Sequence, residues 1–157
     1  MIGPVFRDAA EADLPAIIAM LADDEHSRGR EDPGVPLDPG YRAAFAAIEA
    51  DPNQRLIVAE RGGEVIGTLQ LSYLPGLSYR GQWRGQIEAV RIARAWRGHG
   101  HGAEMIGWAI DRCRERGCRM VQLTSNRNRI DARRFYERLG FEASHVGMKL
   151  SLDALPE

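Results

Sequence analysis

The sequence predicts an α/β domain built on a single mixed, largely antiparallel sheet with flanking helices. Three observations lead to this fold class. Apolar residues spaced for one face of a helix come first, and residues 55–92 then read as strands separated by turns, which is typical of an antiparallel meander. After Gly98 the helical period returns, and a helix, a strand and another helix follow. No internal repeat or long linker divides the chain, so one domain spanning 1–157 is expected.

The amino-terminal part is predicted to hold one strand and two helices. Residues 4–8 are a short strand candidate. The first helix has an apolar face at the spacing i, i+3, i+4, i+7, formed by Leu14, Ile17, Ile18 and Leu21. Residues 26–40 are rich in Gly, Pro and Asp and show no periodicity. A second helix follows from Tyr41 and stops at Asp51-Pro52.

The meander is predicted from strand segments at 55–60, 64–73 and 86–92. Gly62-Gly63 is a hairpin signal between the first two, and residues 75–85 form a second turn-rich stretch.

The remaining elements follow the glycine-rich segment after residue 97. One helix carries apolar residues over 105–113 and stops at Gly117, and residues 120–123 form a strand. A short helix over 132–139 follows, and residues 141–150 have room for two more strands.

Charged residues are segregated along the chain, although the formal net charge is only -1. Residues 1–60 carry 12 acidic residues against 5 arginines, whereas residues 80–119 carry 9 arginines against 4 acidic residues. The pI of about 6.4 argues against a nucleic-acid partner, since domains that bind phosphate backbones usually have a pI above ~9. The acidic half and the basic middle suggest two different ligands. Ordinary solvated faces are the alternative.

A glycine-rich loop, Arg97-Gly98-His99-Gly100-His101-Gly102, lies between a predicted strand and a predicted helix. Closely spaced glycines let backbone N–H groups approach an anion, and a helix amino terminus adds positive potential, so the loop suits a pyrophosphate. The Walker pattern fails because no Gly-Lys-Ser/Thr follows. A dehydrogenase site expects an acidic residue at the end of the next strand, where this sequence has Leu123-Thr124-Ser125.

The spacing Arg-x-x-Gly-x-Gly, which begins five residues after Ile92, resembles the acyl-CoA loop of the GNAT N-acetyltransferases. Residues 87–92 resemble the fourth strand of that superfamily, and residues 133–141 resemble its carboxy-terminal FYxxLGF signature. The layout is also similar to that of the aminoalkylphosphonate and glucosamine-phosphate N-acetyltransferases. The resemblance implies a GNAT-like acyl-CoA N-acyltransferase fold with splayed central strands.

The same resemblance implies acetyl-CoA as cosubstrate and a set of residues that hold it. The backbone of the fourth strand would pair with the pantetheine arm in the manner of an added strand, and the pyrophosphate would lie on the loop amides. The implied binding residues are Val90, Arg91, Ile92, Arg97, Gly98, His99, Gly100, His101, Gly102, Ala103 and Asn128. A metal site at the two loop histidines is an alternative, but no third ligand is spaced nearby, so no metal is expected.

Acetyl transfer to an amine needs a base for the ammonium and an acid for the departing thiolate. Tyr136 matches the tyrosine acid of the family. Glu88 is the candidate base, because it shares strand parity with Val90 and Ile92 and is therefore expected to face the cofactor side. A tyrosine that packs in the core and a structural or substrate-holding carboxylate are the alternatives. The glutamate of the aminoalkylphosphonate group aligns with Ala89 instead.

The superfamily usually shapes its acceptor pocket between the first two helices, so the resemblance implies that the acidic stretch 23–38 is an entrance for a cationic amine and that the basic middle surrounds the pyrophosphate. The leading hypothesis is an acetyl-CoA-dependent N-acetyltransferase that acts by direct attack on a small primary amine. A protein or peptide amine is the main variant, and a non-catalytic acyl-CoA-binding module and a dehydrogenase are the rivals. Aromatic residues flanking the second turn-rich stretch, Tyr73, Tyr79 and Trp83, are candidates for an apolar wall of the acceptor pocket, and His145 for a further substrate contact.

The expected setting is the cytoplasm, with no membrane partner. No stretch approaches the ~18 apolar residues of a membrane span. The amino terminus carries Asp8, Glu11 and Asp13 where a signal peptide would be basic and then apolar. Cys113 and Cys118 lack paired-motif spacing and are interpreted as reduced structural thiols. A homodimer is compatible with the family resemblance.

Overall fold

The computed structural model describes residues 2–27 and 29–153 of the 157-residue chain. The chain divides into two compact units, one ending at Leu123 and one beginning at Thr124. The first unit contains the sheet and most of the helices. That the whole chain acts as one domain stays a prediction.

The first unit contains five strands whose bounds lie close to the predicted ones. They are β1 (Val5–Asp8), β2 (Gln54–Arg61), β3 (Glu64–Leu74), β4 (Arg84–Ile92) and β5 (Met120–Leu123). The strand order is β1-β2-β3-β4-β5, with antiparallel pairing from β1 to β4 and a parallel pairing between β4 and β5. This arrangement confirms the mixed, largely antiparallel sheet.

The described helices of the first unit that are longer than one turn are α1 (Leu14–Ala22), α2 (Pro39–Ala50) and α3 (His101–Arg116). A single helical turn spans Ser78–Gly81. α2 begins two residues earlier than the apolar pattern predicts, because the Asp38 side chain accepts a hydrogen bond from the Gly40 amide at 2.7 Å and caps the helix. α3 ends at Gly117, as predicted, where the chain turns with a φ of 87°. Among the described residues, no helix is both long and apolar enough to cross a bilayer.

α1 and α2 cover one face of the sheet. Leu14 and Ile18 of α1 pack with Phe45 of α2, and Leu56 of β2 joins this cluster. Directly paired residues of neighbouring strands point to the same side. Because Leu56 pairs with Gln70 of β3, that glutamine lies on the face that α1 and α2 cover.

α3 covers the opposite face. Phe6 of β1 and Trp108 of α3 are in ring contact, with centroids 5.8 Å apart. Gly85 of β4 approaches the same helix so closely that a Cβ at this position would lie 2.3 Å from the Cys113 sulfur. The buried core on this side includes Met105 and Ile106, which have no exposed surface. The two helix-covered faces therefore bury most of β3, the central strand, together with Gly85 and Ile87 of β4.

The second unit contains α4 (Ile130–Arg138), which ends before Gly140, where φ is 99°. The prediction of two strands within 141–150 is wrong for the described residues, which form no strand after β5. Four apolar side chains alternate along this extended segment and are 86–92% exposed: Val146, Met148, Leu150 and Leu152. A strand needs the hydrogen-bonding edge of another strand, and the described part of this unit contains only a helix and irregular chain.

Candidate active site

The fourth strand contains a β-bulge in its middle. Gln70 pairs with Glu88 and Thr68 pairs with Arg91, so β4 has one more residue than β3 over this stretch. Ala89 accommodates the extra residue with a positive φ of 53°. Such a conformation costs a non-glycine residue about 1–3 kcal/mol, and bulges of this kind are common beside active sites. The sequence gives no direct signal of this bulge.

The bulge changes the expected orientation of Glu88. The register places Glu88 on the same face as Arg91, the face that α1 and α2 cover. Ile92 instead pairs with Gly67 and lies on the face that α3 covers. The parity argument that grouped Glu88 with Ile92 was therefore wrong, because it assumed a strand without an extra residue. The role of Glu88 as a base stays a prediction.

β4 has an open edge beyond Ile87. β5 pairs with β4 only over residues 84–87, and among the described residues no strand pairs with 88–92 on that side. The Val90 and Ile92 carbonyls each accept one hydrogen bond from an arginine side chain, and a carbonyl oxygen can accept a second. An extended ligand can therefore pair along this edge like a strand. This is the place where the family resemblance puts Val90 and Ile92 beside a pantetheine arm.

The glycine-rich loop leads from the end of β4 into α3. Gly98 and Gly100 both have positive φ values, 79° and 83°, which only glycine adopts at little cost. Gly100 is the N-cap of α3, and no side chain caps the helix there. The first amides of a helix have no partner within the helix, so those of His101, Gly102 and Ala103 can bind an anion. The loop geometry therefore fits a pyrophosphate.

Arg97 ties this loop to the strand and to the end of α1. Its Nε donates a hydrogen bond to the Ile92 carbonyl at 3.0 Å, and its Nη2 donates to the Asp23 carbonyl at 3.3 Å. The same guanidinium lies 3.8 Å from the Asp23 carboxylate. The side chain is therefore placed at the start of the loop by contacts within the chain.

Two further arginines pair with the acidic residues that follow α1. Arg94 forms two hydrogen bonds with the Asp23 carboxylate, one of them from Nε to Oδ2 at 3.2 Å. Arg91 lies 3.1 Å from Asp24, and both side chains are largely enclosed, at 14% and 9% exposure. The hydrogen bond from Arg94 lowers the pKa of Asp23 below its ordinary value. The acidic and basic segments therefore neutralise each other at this point.

This pairing leaves fewer free carboxylates in the acidic stretch 23–38, and the role of the stretch as an entrance for a cationic amine stays a prediction. Asp23 and Asp24 are occupied by arginines, while Asp32 accepts a hydrogen bond from the Gly34 amide at 2.9 Å and Asp38 caps α2. Most of these carboxylates therefore have structural partners. Sequence reasoning missed the pairs, although the recurrence of arginine at 91, 94 and 97 was a signal that could have indicated them.

The two loop histidines have different environments. His99 donates from Nδ1 to the Arg97 carbonyl at 2.9 Å. His101 is 6% exposed, and neither ring nitrogen has a hydrogen-bond partner among the residues that the structure describes, although Glu104 lies 3.7 Å from Nδ1. Within residues 2–27 and 29–153, no group of three or more His, Cys, Asp or Glu side chains is placed to hold a metal ion.

The second unit holds the remaining predicted site residues. The Tyr136 ring lies between two phenylalanines, with centroids 5.1 Å from Phe135 and 5.8 Å from Phe141. Asn128 lies in the turn before α4, and its backbone N–H donates a hydrogen bond to the Asn126 Oδ1 at 2.9 Å. The aromatic contacts fix the ring of Tyr136 within its unit, and its role as an acid stays a prediction.

Comparisons with known proteins agree with this architecture. The Acetyltransferase (GNAT) family matches residues 17–141. An aminoalkylphosphonate N-acetyltransferase of Salmonella typhimurium is 34% identical over 105 residues, which are 67% of this chain and 68% of the relative. An L-methionine sulfoximine/L-methionine sulfone acetyltransferase of Pseudomonas aeruginosa is 30% identical over 149 residues, which are 91% of this chain and 85% of the relative.

A solved structure is more similar still. It is named a transcriptional regulator from Bacillus halodurans, is 48% identical, covers 95% of this chain and 99% of its own, and has a TM-score of 0.92. The range that the family matches, 17–141, contains both the glycine loop and the carboxy-terminal signature that ends at Phe141. The chain therefore belongs to the GNAT acetyltransferase family and is an N-acetyltransferase.

Proposed function

We propose that this N-acetyltransferase uses acetyl-CoA and transfers the acetyl group to the primary amine of a small molecule, by direct attack in a ternary complex. The observation that carries the proposal is the continuity of three features: the open edge of β4 over 88–92, the glycine loop, and the uncapped amino terminus of α3. Together they offer backbone groups to an extended arm and then amides to an anion.

Successive segments of this chain are assigned to successive parts of acetyl-CoA. Val90 and Ile92 would offer backbone groups to the pantetheine arm, and the amides from Gly98 to Ala103 would hold the pyrophosphate. Acetyl-CoA supplies an activated acyl group as a thioester. Arg97 would keep the loop in position through its bond to the Ile92 carbonyl. Asn128 is proposed as a further contact with CoA.

Glu88 and Tyr136 are the proposed acid–base pair. The Glu88 carboxylate takes a proton from the substrate ammonium, directly or through water, which leaves a neutral amine. Once nitrogen has bonded to the acyl carbon and the bond from carbon to sulfur breaks, the Tyr136 phenol gives its proton to the thiolate. The second proton that the nitrogen loses as the amide forms restores the phenol, and the proton on Glu88 leaves to solvent. Glu88 is exposed, which suits a group that must meet an incoming substrate.

A small-molecule acceptor is favoured by the names of the relatives. Aminoalkylphosphonates, glucosamine 6-phosphate and L-methionine sulfoximine are all small molecules with an amino group. A protein or peptide amine is the variant to be tested against them. A cytoplasmic location and a homodimer stay predictions from the sequence.

Thiol release from acetyl-CoA in the presence of an amine panel tests the proposal. The panel should hold aminoalkylphosphonates, amino sugars, amino acid derivatives and peptides with free amines. Turnover with a small amine supports the proposal, and turnover with peptides alone supports the protein-directed variant. CoA binding without turnover on any amine would favour a non-catalytic acyl-CoA-binding module. Stronger thermal protection by a nicotinamide dinucleotide than by CoA would favour a dehydrogenase.

The name of the Bacillus halodurans relative raises nucleic acid as a second candidate partner. The charge of this chain argues against it, because the net charge is -1 and Arg91, Arg94 and Arg97 face carboxylates. Anisotropy of labelled duplex DNA at low and moderate salt tests this directly. We expect no saturable, salt-dependent binding, and a steep salt dependence would contradict the proposal that the partner is a small molecule only.

A further inference from the structure

We propose that Gln86 and Gln122 are positioning residues that hold the Glu88 carboxylate in place for proton transfer. This inference rests on the proposed function, because it concerns the proposed base of that reaction. It adds two residues that neither the sequence patterns nor the family resemblance indicated. The evidence is a chain of side-chain hydrogen bonds that runs across β5 and β4 and ends at Glu88.

The sheet register brings the three side chains together. Gln86 and Glu88 are two residues apart in β4, before the bulge, so their side chains point to the same face. Gln86 pairs directly with Gln122 of the parallel strand β5. The hydrogen-bonded order across the sheet is therefore Gln122, Gln86, Glu88.

The direction of each hydrogen bond follows from the chemistry of the groups. Gln122 donates from Nε2 to the Gln86 Oε1 at 2.8 Å, and Gln86 donates from Nε2 to the Glu88 Oε1. An ionised carboxylate can only accept, so the Gln86 amide must present its NH₂ group to Glu88 and its oxygen to Gln122. Turning this amide over would break both bonds. Gln122 therefore fixes the Gln86 amide in the orientation that Glu88 requires.

An exposed glutamate needs such support to act as a base. Glu88 is exposed, and ordering a free glutamate side chain costs conformational entropy. A donor on Oε1 restricts the carboxylate and leaves Oε2 for the substrate ammonium. Base catalysis requires hydrogen-bond reach to the transferred proton, so restriction of the carboxylate favours the productive geometry.

The location of the chain of hydrogen bonds fits this role. Pairing between β4 and β5 ends at Ile87, and the bulge at Ala89 follows one residue after Glu88. The carboxylate is thus held at the start of the open edge that the acyl arm is proposed to occupy. The charged groups of β4 on the same face are Arg84 and Arg91, and Arg91 is paired with Asp24. The Glu88 carboxylate accepts its side-chain hydrogen bond from the uncharged Gln86 amide.

The test compares three variants in amine-dependent turnover and its pH profile. In Gln86→Leu the donor to Glu88 is lost, and we expect kcat to fall about 10-fold with the KM for acetyl-CoA within twofold of wild type. In Gln122→Leu the indirect support is lost, and a smaller fall of about threefold is expected. In Gln86→Glu a second carboxylate adjoins Glu88, so the acid limb of kcat/KM should move about one pH unit higher.

Gln82→Leu is the matched control. Gln82 precedes β4, lies six residues before Glu88 in the sequence, and is outside the hydrogen bonds that join Gln122, Gln86 and Glu88. Its pH profile should match that of wild type, and thermal unfolding of every variant separates loss of fold from loss of function. If Gln86→Leu does not fold, Gln122→Leu and Gln86→Glu still decide the matter.

The outcomes separate this inference from the proposed function. Wild-type protein without turnover on any amine would overturn both. Three results together would overturn only the positioning role. The wild-type protein acetylates an amine, Gln86→Glu leaves the acid limb of kcat/KM in place, and Gln86→Leu leaves kcat unchanged. A uniform loss at every pH in Gln86→Glu would also overturn it, since a merely structural change does not move the limb.

Discussion

Arg91 and Asp24 form a largely enclosed ion pair that joins β4 to the chain after α1. Their Nη2 and Oδ2 atoms are 3.1 Å apart, and the two side chains are only 14% and 9% exposed. Arg91 also donates to the Val90 carbonyl at 2.9 Å, on the segment where the acyl arm is proposed to pair. The segregation of charge in the sequence is thus partly an internal pairing, and it fixes the strand on which the proposed cofactor site depends.

Asp24→Asn is expected to destabilise the protein by about 3 kcal/mol, because it leaves the enclosed Arg91 guanidinium without its carboxylate. Urea unfolding measures the change. Asp8→Asn is the matched control, since Asp8 pairs with Arg55 in an exposed bidentate contact at 2.9 and 3.1 Å. That variant should lose about 1 kcal/mol or less. Equal losses in the two variants would contradict the importance of enclosure.

The fold could be predicted from the sequence because its signals are local. Apolar periodicity and turn residues gave the strands and helices, and the glycine loop marked the start of α3. The bulge at Ala89 has no such signal, because alanine is not a residue type that marks a bulge. The extra residue becomes visible only in the pairing of β4 with β3. The orientation of Glu88 therefore depends on the pairing register between β3 and β4, which the sequence of β4 alone does not specify.

The same limit applies to the candidate site. The arginine pairs of Asp23 and Asp24 join residues about 70 positions apart, and the Gln86 to Gln122 contact joins two strands across a helix. Composition indicated that opposite charges were present but not that they were partners. The loop amides, by contrast, were predictable, because glycine spacing and the start of a helix specify them locally.

Tyr136→Phe is expected to lower kcat about 100-fold or more with little change in the KM for acetyl-CoA, since only the proton for the leaving thiolate is lost. Initial rates at varied acetyl-CoA measure both constants. Phe135→Leu is a control, because it removes a ring 5.1 Å from Tyr136 but keeps the phenol. An unchanged rate in Tyr136→Phe would remove this residue as the acid.

Glu88→Gln is expected to lower kcat/KM about 100-fold near neutral pH, with partial recovery at high pH. The reason is that the substrate amine then loses its proton without help from the protein. The pH profile of kcat/KM for a responsive amine provides the measurement. Loss by the same factor at every pH would assign Glu88 a structural or substrate-holding role instead.

The stabilisation that Asp13 provides through its contact with Arg7 is expected to be lost in acid. Arg7 donates two hydrogen bonds to its carboxylate, at 2.7 and 3.0 Å, and they hold the pKa of Asp13 below its ordinary value. The folded-state pKa is lowered, so the stabilisation is present above the unfolded value of about 3.9 and is lost as the pH falls through the folded value. Urea unfolding from pH 6 down to pH 2 should show this loss. Asp13→Asn should be less stable at pH 6 and show a shallower decline in acid. A decline as steep as that of wild type would contradict the assignment.

Gly85→Ala is expected to destabilise the protein by about 1–3 kcal/mol, because the packing between β4 and α3 leaves no room for a methyl group. A Cβ on Gly85 would lie 2.3 Å from the Cys113 sulfur. Cys113 is 1% exposed, and burial raises the pKa of its thiol to about 12, so the sulfur acts as a neutral packing group. The double variant Gly85→Ala with Cys113→Ala removes the clash and should be more stable than the sum of the two single changes predicts. Thermal unfolding of the four proteins completes this cycle. If the effects of the two single changes simply add, β4 and α3 move apart to accommodate the new Cβ, and contact with the Cys113 sulfur does not hold β4 in place.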